Sequence, residues 1–274
     1  MNTIAVGVGA AIAGTAVSPD RDRFYGLGLI VLGAAAVVVL GHGLRFRRPV
    51  TTPPVDLAGW FRRWQDQHNA PDVDPSKTTA LRVFLTFTYR LARPLALRGV
   101  SPSSVTFAGL WLAALVPVTA MRLPLVAAGI CVVSSVVDGV DGAVAGLSGR
   151  ATRSGFVLDS VVDRLAEAGF FLALVVAGAD ARLGAAGWAG VVLLEYTRAR
   201  AGNAGLGEIG IVTIAERPTR VLCVVFGLIG AALQPDHASA VTSTAALVAT
   251  ITSVVGVGQL AVHLHRRFED EPDR

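Results

Sequence analysis

Asp138, Asp141, Asp159 and Asp163 lie inside two apolar stretches of the chain, Leu123 to Ala145 and Phe156 to Gly178. At ~3.6 residues per helical turn, the i,i+3 spacing of the first pair and the i,i+4 spacing of the second put each pair of carboxylates on one face. Two such pairs on neighbouring helices can face each other. Burial and mutual repulsion both disfavour the charged form, so four carboxylates cannot all stay ionised there without a counter-charge. A divalent metal supplies one. An all-oxygen ligand set favours Mg2+, Mn2+ or Ca2+ over zinc, and no His or Cys stands near enough in the sequence to argue for a softer ion. Two Mg2+ would balance four carboxylates and leave coordination positions for phosphate oxygens, which is the arrangement of metal-assisted phosphoryl transfer.

The cost of the cluster argues that it is used. Each Asp at bilayer mid-depth costs roughly 2.5 to 3.5 kcal/mol on insertion scales, and four cost on the order of 10 kcal/mol, which rivals the net stability of a typical domain. Gly139, Gly142, Ala145 and Gly155 surround the carboxylates. They would let a bulky ligand approach the backbone, although small residues also serve tight packing between membrane helices.

The elements that must position these groups follow from composition. The chain has 274 residues, of which 53% are hydrophobic and only 16% charged, and its mean hydropathy is +0.58. Its apolar runs are continuous and rich in Ala, Gly, Val and Leu, without the alternation of a membrane β-barrel. An all-α, polytopic helical membrane protein is predicted. A core of six spans runs approximately Ser103 to Ala120, Leu123 to Ala145, Phe156 to Gly178, Leu183 to Tyr196, Val221 to Leu233 and Ala238 to Leu264. One or two extra spans precede it: a short Gly/Ala-rich run, Ile4 to Val17, and a better one, Phe24 to Leu40.

Between the extra spans and the core, Pro49 to Pro54 breaks any helix. Val55 to His68 then gathers Leu57, Trp60, Phe61 and Trp64 on one face, and Leu81 to Leu97 sets Phe84, Leu85, Phe87, Tyr89 and Leu91 against Arg82, Arg90 and Arg93. Both read as amphipathic helices, either lying at the cytoplasmic membrane surface or packed outside the membrane. The expected organisation is an N-terminal transmembrane extension at 1-48, an interfacial segment at 49-99, a catalytic core at 100-267 and a polar tail at 268-274.

Basic residues assign the sides. With the loops before Ser103, around Arg150, around Arg198 to Arg220 and after Leu264 inside, only Arg21, Arg23, Arg122 and Arg182 fall outside. The two carboxylate pairs then flank a cytoplasmic turn at matched depth, and the site opens to the cytoplasm. The net charge of +4 is spread over loops between apolar runs, which points to topology and away from nucleic acid. Cys131 and Cys223 fall within apolar runs, with no metal-ligand spacing.

The motif residues resemble those of the CDP-alcohol phosphotransferase family of membrane enzymes, whose pattern is D-x-x-D-G-x-x-A-R, a gap, then G-x-x-x-D-x-x-x-D. The chain supplies Asp138, Asp141, Gly142, Ala145, Gly155, Asp159 and Asp163, with Leu147 to Ser154 in the gap. It departs at Gly146, where the pattern carries Arg; Arg150 or Arg153 is the nearest replacement in the following turn. The stretch from Arg98 to Thr106 is similar to the family's entry into its first core helix. Tyr196 to Ala201 and Ala215 to Arg220 resemble the fourth-to-fifth helix region of bacterial members that make phosphatidylinositol phosphate or related lipids.

The resemblance implies a six-helix core, usually a homodimer, that transfers a phosphatidyl group from a CDP-linked lipid such as CDP-diacylglycerol to an alcohol and releases CMP. It implies that Asp138, Asp141 and Asp159 ligate Mg2+ or Mn2+, and that Asp163 is a further ligand or the catalytic base. Gly142, Ala145 and Gly155 would line the CDP-lipid site. Arg198, Arg200, Arg217 and Arg220 sit at helix ends where guanidinium groups clamp phosphate, favouring a phosphorylated acceptor such as inositol phosphate or glycerol phosphate. Those arginines could instead pair with Glu195, Glu208 and Glu216. Two other readings remain at this point: an ion or proton transporter using intramembrane carboxylates, and a CDP-lipid-binding protein with catalysis impaired by Gly146.

Overall fold

The computed structural model describes residues 19–45, 55–67, 74, 77, 79–206 and 212–270. Every regular element among them is helical: α1 (Pro19–Arg45), α2 (Leu57–Gln67), α3 (Thr79–Leu97), α4 (Pro102–Ala120), α5 (Pro124–Ser148), α6 (Arg153–Val176), α7 (Ala181–Ala201), α8 (Arg217–Leu233) and α9 (Ala238–Asp270). A π turn, Gly202–Leu206, follows α7, and a 3-10 turn, Pro235–His237, precedes α9. The six core spans correspond to α4 through α9, and the span at Phe24 to Leu40 lies within α1. The run Ile4 to Val17, the break at Pro49 to Pro54, Arg47, Arg48, Glu208 and the last four residues of the tail lie outside the described residues.

By length and hydropathy, four candidate membrane spans stand among the described residues: Asp22–Val39, Pro102–Ala120, Pro124–Ser148 and Pro235–Arg267. The α6 and α7 helices are less apolar, because they carry Asp159, Asp163, Arg164 and Glu167, and Glu195, Arg198 and Arg200. The α8 helix is 17 residues long and opens on Arg217 and Arg220. Multi-pass membrane insertion stands on the four clear spans.

Contacts group the chain into two compact units. The motif unit comprises Leu29–Ala114 and Val133–Ala166; the second unit comprises Met1–Gly28, Leu115–Val132 and Glu167–Arg274. In the motif unit, Asp56 Oδ1 accepts from the Gly59 backbone N–H at 2.8 Å and so caps the start of α2. Trp60, Leu85, Ala92, Ala96, Val140, Ala143, Val144 and Leu147 form one buried cluster, with Leu57, Phe61 and Trp64 packed against it. The Trp60 indole donates to the Leu85 carbonyl at 3.2 Å, locking α2 to α3. Both helices thus rest on α5.

The apolar residues of α3 do not form a single face. Leu85, Thr88, Ala92 and Ala96, at i, i+3, i+7 and i+11, are buried, whereas Val83, Phe84, Phe87 and Leu91 remain exposed beside Arg82, Arg90 and Arg93. Packing and an exposed apolar stripe therefore coexist on one helix. The same unit holds α1 against α4, where the Trp111 indole donates to the Leu32 carbonyl at 2.7 Å.

In the second unit, Arg122 pairs with Asp22 and stacks over the Tyr25 ring at 4.8 Å. Phe171, Val191 and Ala249 form one of its cores, and Leu194, Ala215 and Leu260 another.

Candidate active site and metal centre

The carboxylate helices are joined by a tight turn that brings α6 back beside α5. Gly149 has φ +64°, and the Arg150 N–H bonds the Ala145 carbonyl at 3.0 Å, which closes α5 with a glycine cap that a β-carbon would strain. Thr152 Oγ1 then accepts from the Gly155 N–H at 3.0 Å and caps the start of α6. Arg150 donates to the carbonyls of Gly99 and Val100 at 3.2 and 3.5 Å, tying the turn to the end of α3.

Asp138, Asp159 and Asp163, all half-buried, each place one carboxylate oxygen within 4.8 Å of the other two. Three converging oxygens of like charge repel unless a cation lies between them, and an all-oxygen set suits a hard divalent ion. The residues fit such an ion. Asp141 is more deeply buried and is held differently. Its Oδ2 accepts from the Thr106 hydroxyl at 2.6 Å, and its Oδ1 accepts from the Gly142 N–H at 2.6 Å. Arg164 Nη2 lies 3.6 Å from Asp163 Oδ2, so a fixed positive charge adjoins one member of the trio.

The small residues divide by surroundings. A β-carbon on Gly139 would meet the Phe84 ring at 3.3 Å, so that glycine serves packing of α3 on α5. On Gly142 it would meet nothing within 4 Å, and Gly142 is exposed. Ala145 is half-buried. On Gly155 a β-carbon would press on the capping Thr152 hydroxyl at 3.0 Å.

Arg198, Arg200, Arg217 and Arg220 belong to the second unit. Arg220 is buried, with its guanidinium 2.6 Å from Glu167, 3.4 Å from Glu195 and 2.5 Å from the Ala215 carbonyl. Arg198 pairs with Glu216, reaches Glu195 at 3.7 Å, and donates to the Thr213 hydroxyl at 3.2 Å. Arg217 is half-buried and Arg200 exposed. Burial opposes the charge on Glu216, but hydrogen bonds from Arg198 and Thr213 hold its carboxyl below the ordinary value of 4.5.

Three residues escaped the sequence reading. Thr106 had a signal, since it closes the stretch similar to the family's core entry, but nothing tied it to Asp141. Glu167 continues the Asp159, Asp163 series at i+4 and could have been found by extending that period. Arg63 Nη1 donates to the carbonyls of Gly146 and Leu147 at 2.6 and 3.3 Å, a contact across 83 residues that no local pattern announces.

A multi-pass helical membrane protein with an all-oxygen carboxylate cluster on two consecutive helices has the construction of an integral-membrane transferase acting on phosphate groups. The chain belongs to the CDP-alcohol phosphatidyltransferase family, whose model matches residues 99–257. It is 37% identical to the phosphatidylinositol phosphate synthase of Mycolicibacterium smegmatis over 152 residues, which are 50% of this chain and 67% of that protein. It is 29% identical to the archaetidylinositol phosphate synthase of Pyrococcus horikoshii over 143 residues, 49% of this chain and 72% of that protein. The structure of Mycobacterium tuberculosis phosphatidylinositol phosphate synthase in complex with manganese and citrate superposes with a TM-score of 0.52 at 26% identity, covering 65% of this chain and 88% of that one. Membership decides between transferase and transporter in favour of the transferase.

Proposed function

We propose that the protein transfers a phosphatidyl group from CDP-diacylglycerol to a phosphorylated polyol, with inositol phosphate the first choice and glycerol phosphate the second, releasing CMP. The observation that carries this reading is the convergence of Asp138, Asp159 and Asp163 within 4.8 Å on the two motif helices. Similarity to synthases named for archaetidylinositol phosphate and phosphatidylinositol phosphate supports the acceptor.

In this reading Asp138, Asp159 and Asp163 hold Mg2+ or Mn2+, and Asp141, oriented by Thr106, completes the set or the donor site. The bound metal would neutralise the donor pyrophosphate and stabilise departing CMP. The acceptor hydroxyl oxygen forms the new bond to the phosphatidyl phosphorus, the bond from that phosphorus to CMP breaks, and Asp163 takes the hydroxyl proton. Gly142, with open space beside it, and Ala145 and Gly155 give the donor access to the backbone. Arg198, Arg200, Arg217 and Arg220 supply the guanidinium groups for the acceptor phosphate, with Arg198 and Arg220 also paired with glutamates.

The catalytic core at 100–267, the cytoplasmic orientation of the site and a homodimer belong to the same proposal, the orientation resting on the distribution of arginines. The test is CMP release from CDP-diacylglycerol by purified protein with Mg2+ or Mn2+ and a panel of inositol phosphate, glycerol phosphate, inositol and serine. Turnover only with the phosphorylated acceptors is expected. Turnover with free inositol alone would overturn the acceptor assignment, and no CMP release with any acceptor would support the catalytically impaired reading that Gly146 motivates.

A further inference from the structure

The C-terminal turn of α5 is the part of the motif where the chain departs from its family, because Gly146 stands where the pattern has Arg. That turn has acquired a guanidinium from elsewhere. Arg63, on α2 and outside the segment matched by the family model, donates through Nη1 to the Gly146 carbonyl at 2.6 Å and to the Leu147 carbonyl at 3.3 Å. These are carbonyls of the last helical turn, where backbone donors run short, the Gly149 N–H reaching Gly146 only at 3.4 Å, and the helix dipole favours a cation.

The arm that delivers Arg63 is firmly seated. Trp60, one turn earlier, is buried in the cluster containing Val140, Ala143, Val144 and Leu147, and its indole is bonded to Leu85. Val140 and Ala143 alternate along α5 with Asp138, Asp141 and Gly142. Whatever fixes the rotation of this helix therefore also fixes the carboxylates on its other side. The replacements nearest in sequence are differently placed: Arg150 is bonded to Gly99 and Val100, and Arg153 is exposed.

We infer that Arg63 is a positioning residue for the transfer reaction, supplying to the end of α5 the guanidinium missing at position 146 and thereby holding Asp138 and Asp141 in register with α6. The α2 segment is then a working part of the enzyme although it lies outside the family match. This inference rests on the transferase reading, and wild-type turnover in the same assay is the control that separates the two. Without wild-type CMP release the transferase reading fails; with it, the ratio of variant to wild type reads Arg63 alone.

The experiment compares wild type, Arg63→Gln, Arg63→Lys, Gly146→Arg and the double variant Arg63→Gln with Gly146→Arg, by CMP release, by CDP-diacylglycerol affinity and by thermal unfolding in detergent. Loss of a charge-assisted bond to a helix end predicts that Arg63→Gln lowers kcat about tenfold, with donor affinity changed by less than about threefold. The unfolding midpoint should stay near that of wild type. Arg63→Lys should keep most of the rate, and Gly146→Arg should restore the Arg63→Gln variant to within about threefold of wild type. Unchanged kcat in Arg63→Gln would overturn the inference. So would a rate loss that tracks a lowered unfolding midpoint and is not recovered by Gly146→Arg, since that is the behaviour of an ordinary packing contact. Should Arg63→Gln fail to fold, Arg63→Lys with and without Gly146→Arg carries the test: a rate deficit relieved by the second change supports the inference, and one left unrelieved refutes it.

Discussion

Thr106 Oγ1 stands 2.6 Å from Asp141 Oδ2, across 35 residues of sequence, and joins the entry helix of the core to the motif helix. The hydroxyl occupies an oxygen that would otherwise be available to a ligand, so it sets which edge of Asp141 faces the remaining carboxylates.

Thr106→Val removes that hydroxyl at almost constant volume. A buried hydrogen bond to a charged acceptor contributes about 1.5 to 3 kcal/mol, so CMP release is expected to fall by at least about tenfold. Thr106→Ser, which keeps the hydroxyl, should retain most of the rate. Equal activity of the Val and Ser variants would show that Asp141 needs no orientation.

Asp138→Asn, Asp159→Asn and Asp163→Asn each take one charge from the converging trio. Titration with Mn2+ followed by electron paramagnetic resonance should show weakened binding in all three, because a hard cation loses a charged oxygen ligand. Asp163→Asn is expected to lose turnover by more than it loses donor affinity, which is the signature of a group needed in the transition state. Parallel loss of both would leave Asp163 as a ligand only.

Arg220 and Glu167 are 3% and 1% exposed, and their charged groups are 2.6 Å apart. Glu167→Ala removes the nearer of the two carboxylates facing the buried Arg220 guanidinium and leaves Glu195 at 3.4 Å, so it should destabilise the protein by up to about 3 kcal/mol. Replacing both by apolar residues of similar volume, Glu167→Leu with Arg220→Met, should recover much of that loss in detergent unfolding. Recovery measures the pair's worth to folding separately from any role in acceptor binding.

Glu216 titrates below its ordinary 4.5 in the folded chain because the bonds from Arg198 and Thr213 outweigh its burial. A depressed carboxyl contributes stability that is complete above the unfolded value and is lost as pH falls through the lower folded value. Thermal unfolding of the wild type should therefore drop on acidification below about pH 4.5, with Glu216→Gln showing a shallower decline. Identical acid limbs in the two proteins would place the acid sensitivity elsewhere.

The helices were legible because their signals are local. Apolar length marked α4, α5 and α9. Charge lowers the hydropathy of α6 and α7, yet their apolar runs Phe156 to Gly178 and Leu183 to Tyr196 still read as spans. The amphipathic pattern of α3 was read as one face, whereas packing on α5 divided it: Leu85 turned inward and Phe84 remained half exposed. Periodicity places a side chain around a helix, but neighbours decide how much of the circumference is covered.

By itself the sequence determined a multi-pass helical membrane protein and carried, on two consecutive helices, the carboxylate pattern of its family. Those properties reside in contiguous residues, in apolar length and in helical period. Only the tertiary structure decided that Asp138, Asp159 and Asp163 share the converging oxygens while Asp141 is held by Thr106, that Arg198 and Arg220 are paired with glutamates, and that Arg63 reaches the carbonyl of Gly146. Each of those facts depends on the rotation of one helix against another, which is set by side-chain packing between residues far apart in the chain.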